Sequence, residues 1–180
     1  REEQFYYRCS HISWCGNNLQ LPNKLPLVEN KIHIETPYKY RYYFNYCTFS
    51  YTMAFWDWTR WEKEIDWMAL NGINMPLAIT GAEAVWQEVY RELGLSDADL
   101  ENFFVGPAYF GWGGPLPQSW IDSHRELQKK ILARMRSLGM KPVLPAFTGH
   151  IPKALIEKFP KAKIQKMKGW EGFAGTYILD

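Results

Sequence analysis

The 180-residue sequence has few of the runs that mark membrane-spanning or nucleic-acid-binding proteins. No apolar run reaches the ~20 residues that a helix needs to cross a bilayer. The net charge is only +2 and no run of five basic residues occurs. The densest positive stretch, KFPKAKIQKMK, is spaced in the way typical of a solvated surface. The sequence therefore predicts neither nucleic acid nor a membrane as a partner.

Cysteine and the common catalytic motifs are also scarce. Cys9, Cys15 and Cys47 make an odd number with no CxxC pair, which favours buried thiols over a zinc site. There is no N-x-[ST] sequon, and the first ten residues lack the apolar core of a signal peptide. GxSxG, HExxH and phosphate-loop motifs are absent, so no metal or other cofactor is predicted.

Aromatic residues, in contrast, are abundant. They make up 17% of the chain and are concentrated in RYYFNYCTFSYTMAFWDWTRWEKEIDW, from Arg41 to Trp67. Rings in this number favour either a thick apolar core or a binding surface for flat, partly apolar ligands such as sugars.

Strand-like and helix-like segments alternate after a proline-punctuated linker and a boundary near residue 36. Buried strands are predicted in YRYYFNYCTF, INMPLAI and MKPVLPAF, and helices in WTRWEKEIDWMALNG, GAEAVWQEVYRELG and QSWIDSHRELQKKILARMRSLG. The last helix has a predicted apolar stripe: Trp120, Leu127, Ile131, Met135 and Leu138. This order predicts a parallel α/β fold, whose sheet needs further strands for stability.

Polar residues at the carboxyl ends of the predicted strands are the candidate ligand groups, because parallel α/β folds bind ligands there. Asn45, Cys47 and Tyr51 follow the first strand. Asn45 and Cys47 alternate on that strand and face either a ligand or the core. Glu83 follows the second strand, where the helix dipole alone explains a carboxylate. His150 follows the third and is equally explained as a cap of the next helix.

The sequence resembles the α-N-acetylglucosaminidases of glycoside hydrolase family 89, with wording closer to the bacterial members. The resemblance begins with CSHISWCGN, runs from RYYFNYCTF to YRELGL, and continues through GGPLPQSW and LGMKPVLPAFTGHIP. It implies that residues 1–35 end a small N-terminal α/β domain. Residues 36–180 then form about the first three βα units of an incomplete (β/α)8 TIM barrel.

The same resemblance implies a retaining exo-glycosidase that removes terminal α-linked N-acetylglucosamine from glycans. The family uses two glutamates about 5 Å apart as acid/base and nucleophile. Both are expected beyond Asp180, in the remainder of the polypeptide, so the isolated chain is expected to be inactive. Substrate contacts are implied for Asn45, Cys47, Tyr51 and Trp170. Trp112 matches a further pocket tryptophan, but the family's longer loop before it is shortened here.

Location and a rival function complete the expectations. The bacterial wording implies a periplasmic or secreted protein, whereas animal members of the family are lysosomal. The alternative function is a non-catalytic carbohydrate-binding α/β module that keeps the aromatic surface. A third possibility is an α/β scaffold without a ligand.

Overall fold

The architecture is described from a computed structural model of the chain. It describes residues 23–24, 27, 29–31, 33, 35–101, 103–104, 115–169 and 175–180. Residues 1–22 lie outside these residues, together with much of the predicted linker. They include Cys9, Cys15 and the stretch from Arg1 to about Trp14, whose pattern predicts the end of a helix. The described chain divides into two units. One contains residues 56–78 and 130–143 together with the chain up to Phe44, and the other contains residues 45–55, 79–129 and 144–180.

The first unit contains a small parallel sheet. Strand β1 (Tyr42–Tyr43) pairs in parallel with β2 (Met75–Pro76), and Leu77 forms a parallel bridge with Val143. The three segments are those predicted as successive strands, so the parallel arrangement is confirmed. Their regular pairing is shorter than predicted, because the third segment contributes only the single bridge.

Helix α2 (Trp58–Leu70) joins β1 to β2 in sequence. It begins where the Asp57 carboxylate caps the helix by accepting a hydrogen bond of 2.9 Å from the Arg60 backbone N–H. It ends before Gly72, whose φ of +70° is the left-handed conformation that glycine adopts readily after a helix. Trp58, Trp61, Ile65 and Met68 recur at helical spacing, which predicts one buried face. The last three are fully buried, whereas Trp58 is only partly buried.

A buried ion pair reinforces α2 on the side of β1. Glu64 is almost fully buried and accepts a hydrogen bond of 2.8 Å from the Arg60 guanidinium. The Tyr43 hydroxyl donates to the other Glu64 oxygen over 3.3 Å. Burial, with Glu64 nearby, raises the pKa of Tyr43, so this phenol stays protonated as a donor. The pairing satisfies a carboxylate that would otherwise be costly to bury.

The second unit is built around an apolar cluster and an antiparallel sheet. Its helices are α1 (Tyr46–Phe49), α3 (Ala82–Glu92), α4 (Asp97–Leu100) and α6 (Leu155–Lys158), with a 3-10 helix at Thr52–Phe55. Strands β3 (His150–Ile151), β4 (Ile164–Lys166) and β5 (Tyr177–Leu179) pair in the order β3-β5-β4. The buried cluster contains Ala84, Tyr90, Leu95, Leu100, Phe104, Ile121, Ile151 and Leu155.

Helix α5 (Gln118–Ser137) supplies residues to both units, which divide after Lys129. The predicted stripe is confirmed at its centre, since Ile131 and Met135 are fully buried. Leu138 lies just beyond the helix and is 38% exposed, so it is not a core residue. The sequence SDADL predicts a capping box at the start of α4, and it is present: the side chains of Ser96 and Asp99 each accept a hydrogen bond from the other's backbone N–H.

Two predicted features take a different form in the structure. The first strand ends at Tyr43, because Phe44 adopts a φ of +78°, which no strand residue can adopt. The sequence does not predict the antiparallel sheet, although the last strand of that sheet lies in GTYILD, a segment with a strand-like pattern. Antiparallel pairing there depends on bringing together segments that are distant in sequence.

Candidate functional site

Asn45 is the first of the sequence-predicted site residues, and it is a helix cap rather than a strand residue. Its side-chain oxygen accepts a hydrogen bond of 3.1 Å from the Thr48 backbone N–H. In return, the Thr48 hydroxyl donates to the Asn45 carbonyl oxygen over 2.7 Å. Asn45 is nevertheless exposed. Its amide therefore shapes the start of α1 and stays accessible to solvent.

Cys47 lies in α1 and Tyr51 follows that helix, and both are exposed. The prediction of a buried thiol is therefore wrong for Cys47. Backbone hydrogen bonds from Tyr51 N–H to the Thr48 carbonyl and from Ala54 N–H to the Tyr51 carbonyl continue the helical path. Cys47 and Tyr51 are therefore carried by one continuous stretch of helical turns.

The alternation argument for Asn45 and Cys47 is therefore wrong. The residues do not alternate on a strand, because the chain turns at Phe44 and coils into α1. Sequence reasoning missed a local signal. Asparagine is among the preferred N-cap residues, and here Thr48 follows it at the N3 position. One segment nevertheless carries Asn45, Cys47 and Tyr51, and their role as site residues stays a prediction.

Glu83 lies in the first turn of α3, as predicted, and has an unusual environment. Its Oε2 atom is buried and has no hydrogen-bond partner among the described residues. Burial raises the pKa of the Glu83 carboxyl, and a hydrogen bond to its own backbone only partly opposes the effect. A carboxylate in the first turn of a helix is ordinarily favoured in its charged form, and burial acts in the opposite direction here.

The start of α3 is held closely against α5. Gly81 caps α3 with a φ of +73°, and a Cβ atom there would lie 2.6 Å from the carbonyl oxygen of His124. Only glycine combines this left-handed backbone with so close an approach. The position of Glu83 is therefore fixed by a backbone-to-backbone contact two residues earlier.

His150 lies in strand β3 and does not cap the following helix. The N-cap of α6 is Ala154, so the capping explanation is wrong. The His150 carbonyl accepts a hydrogen bond of 2.9 Å from the Tyr90 hydroxyl, and its ring Nδ1 lies 3.1 Å from the Thr148 hydroxyl oxygen. Burial raises the pKa of Tyr90 to about 12, so Tyr90 remains a donor at ordinary pH. These contacts account for His150 structurally.

The two remaining site residues, Trp112 and Trp170, lie outside the described residues. A cleft of about 490 Å³ does occur in the second unit, but Asn45, Cys47 and Tyr51 do not line it. Its walls come from α3, α4 and the start of α5, and include Gln87, Asp97, Leu100, Phe104, Leu116, Gln118 and Ile121. Gln87 and Gln118 exchange two amide hydrogen bonds, of 2.8 and 3.0 Å, at its edge.

Metal-binding clusters and membrane-spanning helices are both absent from the part of the chain that the structure describes. There, no three His, Cys, Asp or Glu side chains cluster in a way that could hold a metal ion. No helix among the same residues has both the length and the apolar character to cross a bilayer.

Known proteins similar to this chain form a consistent set. Residues 41–180 match the family described as the α-N-acetylglucosaminidase (NAGLU) TIM-barrel domain. The human α-N-acetylglucosaminidase is 50% identical over 176 residues, covering 93% of this chain and 24% of the human protein.

Solved structures of a family 89 glycoside hydrolase from Clostridium perfringens are also similar. One, a double Glu-to-Gln variant in complex with its substrate GlcNAc-α-1,4-galactose, has a TM-score of 0.87 and 39% identity. It covers 99% of this chain and 21% of the bacterial chain. A second, in complex with 2-acetamido-1,2-dideoxynojirimycin, has a TM-score of 0.84 and 41% identity, over 94% and 20% of the two chains.

The identity to the human protein, 50%, exceeds the 39–41% identity to the bacterial one, so these values do not support the expected closer resemblance to bacterial members. The chain spans only about a quarter of the length of the human relative and a fifth of the bacterial one. The likeness nevertheless extends over nearly the whole of this chain in both sequence and fold. The chain therefore belongs to the α-N-acetylglucosaminidase family, glycoside hydrolase family 89, and residues 41–180 match its TIM-barrel domain.

Proposed function

We propose that the complete polypeptide containing this chain is a retaining exo-glycosidase that hydrolyses terminal α-linked N-acetylglucosamine. The observation that carries this proposal is the 50% identity to an α-N-acetylglucosaminidase across 93% of the chain. The similar bacterial structure in complex with GlcNAc-α-1,4-galactose supports a glycan with this terminal sugar as the substrate.

Within that enzyme, we assign the chain to the binding of sugar rather than to bond cleavage. Asn45 and Tyr51 carry hydrogen-bonding groups suited to the hydroxyl and acetamido groups of the sugar, and both are exposed. Cys47 lies between them in the sequence and is also exposed. Trp170 and Trp112 are proposed to supply indole rings for stacking on the sugar, an assignment that comes from the family resemblance alone.

The catalytic carboxylates are proposed to come from sequence outside this chain. Retention requires two carboxyl groups about 5 Å apart, one as nucleophile and one as acid/base. Glu83 is not assigned to either role, because family 89 places its glutamates further along the chain. In the same proposal, residues 1–35 end a small N-terminal domain, and residues 36–180 form the first βα units of an incomplete barrel.

The stereochemical course of hydrolysis tests the proposed chemistry. The complete polypeptide should hydrolyse an aryl α-N-acetylglucosaminide, and proton NMR of the fresh reaction should show the α-anomer of N-acetylglucosamine before mutarotation. Release of the β-anomer first would show inversion and exclude the covalent intermediate. Absence of any hydrolysis would refute the glycosidase itself.

A pair of matched variants tests the assigned sugar contact. Tyr51→Phe removes one hydroxyl and should raise KM roughly 3- to 10-fold, the effect of losing one neutral hydrogen bond. Tyr46→Phe removes a hydroxyl from an equally exposed tyrosine of the same segment and should leave KM unchanged. Equal effects of the two substitutions would remove Tyr51 from the site.

A further inference from the structure

The segment that carries the candidate sugar-binding side chains is joined to helix α5 through one histidine. His124 Nε2 lies 3.2 Å from the carbonyl oxygen of Ala54, a residue 70 positions away in sequence. Ala54 belongs to the 3-10 helix Thr52–Phe55, which follows Tyr51 directly, and it is buried together with Met53. A carbonyl oxygen only accepts, so this contact is a hydrogen bond when Nε2 carries a hydrogen. Nδ1 also faces a carbonyl oxygen, that of Trp120, so both contacts are hydrogen bonds only in the ring that carries hydrogen on both nitrogens.

The imidazole of His124 is held in a single orientation by its own helix. Its ring stacks on Trp120, with centroids 3.6 Å apart and planes inclined by 20°. Nδ1 lies 2.9 Å from the Trp120 carbonyl oxygen and 3.3 Å from the Ser123 hydroxyl oxygen. Trp120 in turn packs against the buried apolar cluster of the second unit. The ring therefore has little freedom to turn Nε2 away from Ala54.

The backbone of the same helical turn is fixed from another direction. The left-handed backbone of Gly81 approaches so closely that a Cβ atom there would lie 2.6 Å from the His124 carbonyl oxygen. The turn of α5 at His124 thus cannot move towards α3. The backbone of His124 is thus held against Gly81, and its ring contacts the Ala54 carbonyl.

We propose that His124 is a positioning residue: its hydrogen bond to the Ala54 carbonyl holds the segment from Asn45 to Phe55, and with it the side chains that face the sugar. The proposal rests on the proposed function, because it takes Asn45, Cys47 and Tyr51 as the sugar-binding groups. His124 itself is not assigned a contact with substrate. Its effect on sugar binding passes through the backbone of the 3-10 helix.

Hydrogen exchange tests the anchoring directly and needs no activity. In the complete polypeptide, His124→Phe keeps an aromatic ring for stacking on Trp120 but has no N–H to donate. His124→Gln places an amide N–H near the position of Nε2. Exchange of the backbone amides in residues 45–55 should be faster in His124→Phe and near wild type in His124→Gln. Lys130→Ala, an exposed change on the same helix, is the control and should have no effect.

A second pair covers the case in which the phenylalanine variant does not fold. His124→Asn carries the same amide as His124→Gln but is one methylene shorter, so it reaches the position of Nδ1 and not that of Nε2. Exchange in residues 45–55 should then be faster in His124→Asn than in His124→Gln. Equal exchange in the two amide variants, at the wild-type rate, would overturn the anchoring role.

Steady-state kinetics of the complete polypeptide test the consequence for sugar binding. His124→Phe should raise KM roughly 3- to 10-fold with a smaller change in kcat, and His124→Gln should restore KM. If Tyr51→Phe raises KM while His124→Phe alters neither KM nor exchange, the positioning role fails and the proposed function stands. If the wild-type polypeptide hydrolyses no substrate, the proposed function fails, and the exchange result still decides the anchoring.

Discussion

Burial of a single carboxylate oxygen makes Glu83 the residue with the clearest conflict between local and tertiary effects. A glutamate in the first turn of a helix is ordinarily stabilised in its charged form. Here the buried Oε2, without a partner among the described residues, shifts the balance towards the neutral acid and raises the pKa. The folded state thus binds the Glu83 proton more tightly than the unfolded state does.

This raised pKa predicts a pH-dependent effect of Glu83→Gln on stability. As pH rises from the ordinary value of 4.5 through the raised folded-state pKa, the wild type loses stability, because the folded state holds more protons there than the unfolded state. Glutamine is nearly isosteric and does not ionise, so it removes this loss. The free energy of unfolding of Glu83→Gln, measured with urea, should therefore increase relative to that of the wild type as pH rises between these two pKa values.

Glu92→Gln is the matched control for Glu83→Gln, since Glu92 is an exposed carboxylate on the same helix. The difference between this variant and the wild type should change little over the same pH range. If the stability difference between Glu83→Gln and the wild type is equally independent of pH, the pKa of the Glu83 carboxyl is not raised.

Helices show at the element scale how far a repeating pattern specifies burial. The spacing of apolar residues in α5 marks one face correctly, but the face is buried only over part of its length. Ile131 and Met135 are enclosed, whereas Leu138 follows the last residue of the helix, where the chain has begun to turn at Gly139. Periodicity indicates on which face of the helix a side chain lies. The segments that pack beside the helix decide whether that face is buried.

Truncation of two members of this stripe should therefore have unequal effects. Ile131→Ala should lower the free energy of unfolding by about 2–5 kcal/mol, because it leaves a cavity at a fully buried site. Leu138→Ala removes a similar aliphatic side chain from a position 38% exposed and should cost less than about 1 kcal/mol. Chemical denaturation followed by circular dichroism measures both. A larger loss for Leu138→Ala would mean that this position is covered in the folded protein.

For the whole molecule, the proposed function assigns sugar binding to this chain and bond cleavage to sequence outside it. The chain spans about a quarter of the length of its human relative, and the retaining mechanism needs two carboxylates that this proposal places elsewhere. A pocket with sugar-binding side chains but no nucleophile and no general acid cannot break a glycosidic bond.

The isolated 180-residue chain should accordingly release no sugar from an aryl α-N-acetylglucosaminide, and the complete polypeptide should release it. Absorbance of the freed phenol measures both. Hydrolysis by the isolated chain would place the catalytic groups within residues 1–180. Calorimetry with N-acetylglucosamine separates the rival binding-module hypothesis, because binding by the isolated chain that is lost in Trp170→Ala would favour a module that needs no further sequence.

The sequence by itself determined the features that neighbouring residues control. Helix α2, the capping box at Ser96 and Asp99, and the glycine stop after α2 depend on hydrogen bonds and side-chain spacing within a few positions of one another. The order of the parallel segments followed from the alternation of such elements. The family followed from quoted motifs spread along nearly the whole chain.

Only the tertiary structure decided the features that join distant parts of the chain. It buried the Glu83 carboxyl, which lies in the first turn of α3. It also brought His124 to the carbonyl of Ala54 across 70 positions of sequence. No local pattern encodes these outcomes, because burial and long-range hydrogen bonds depend on which distant surfaces the folded backbone brings into contact.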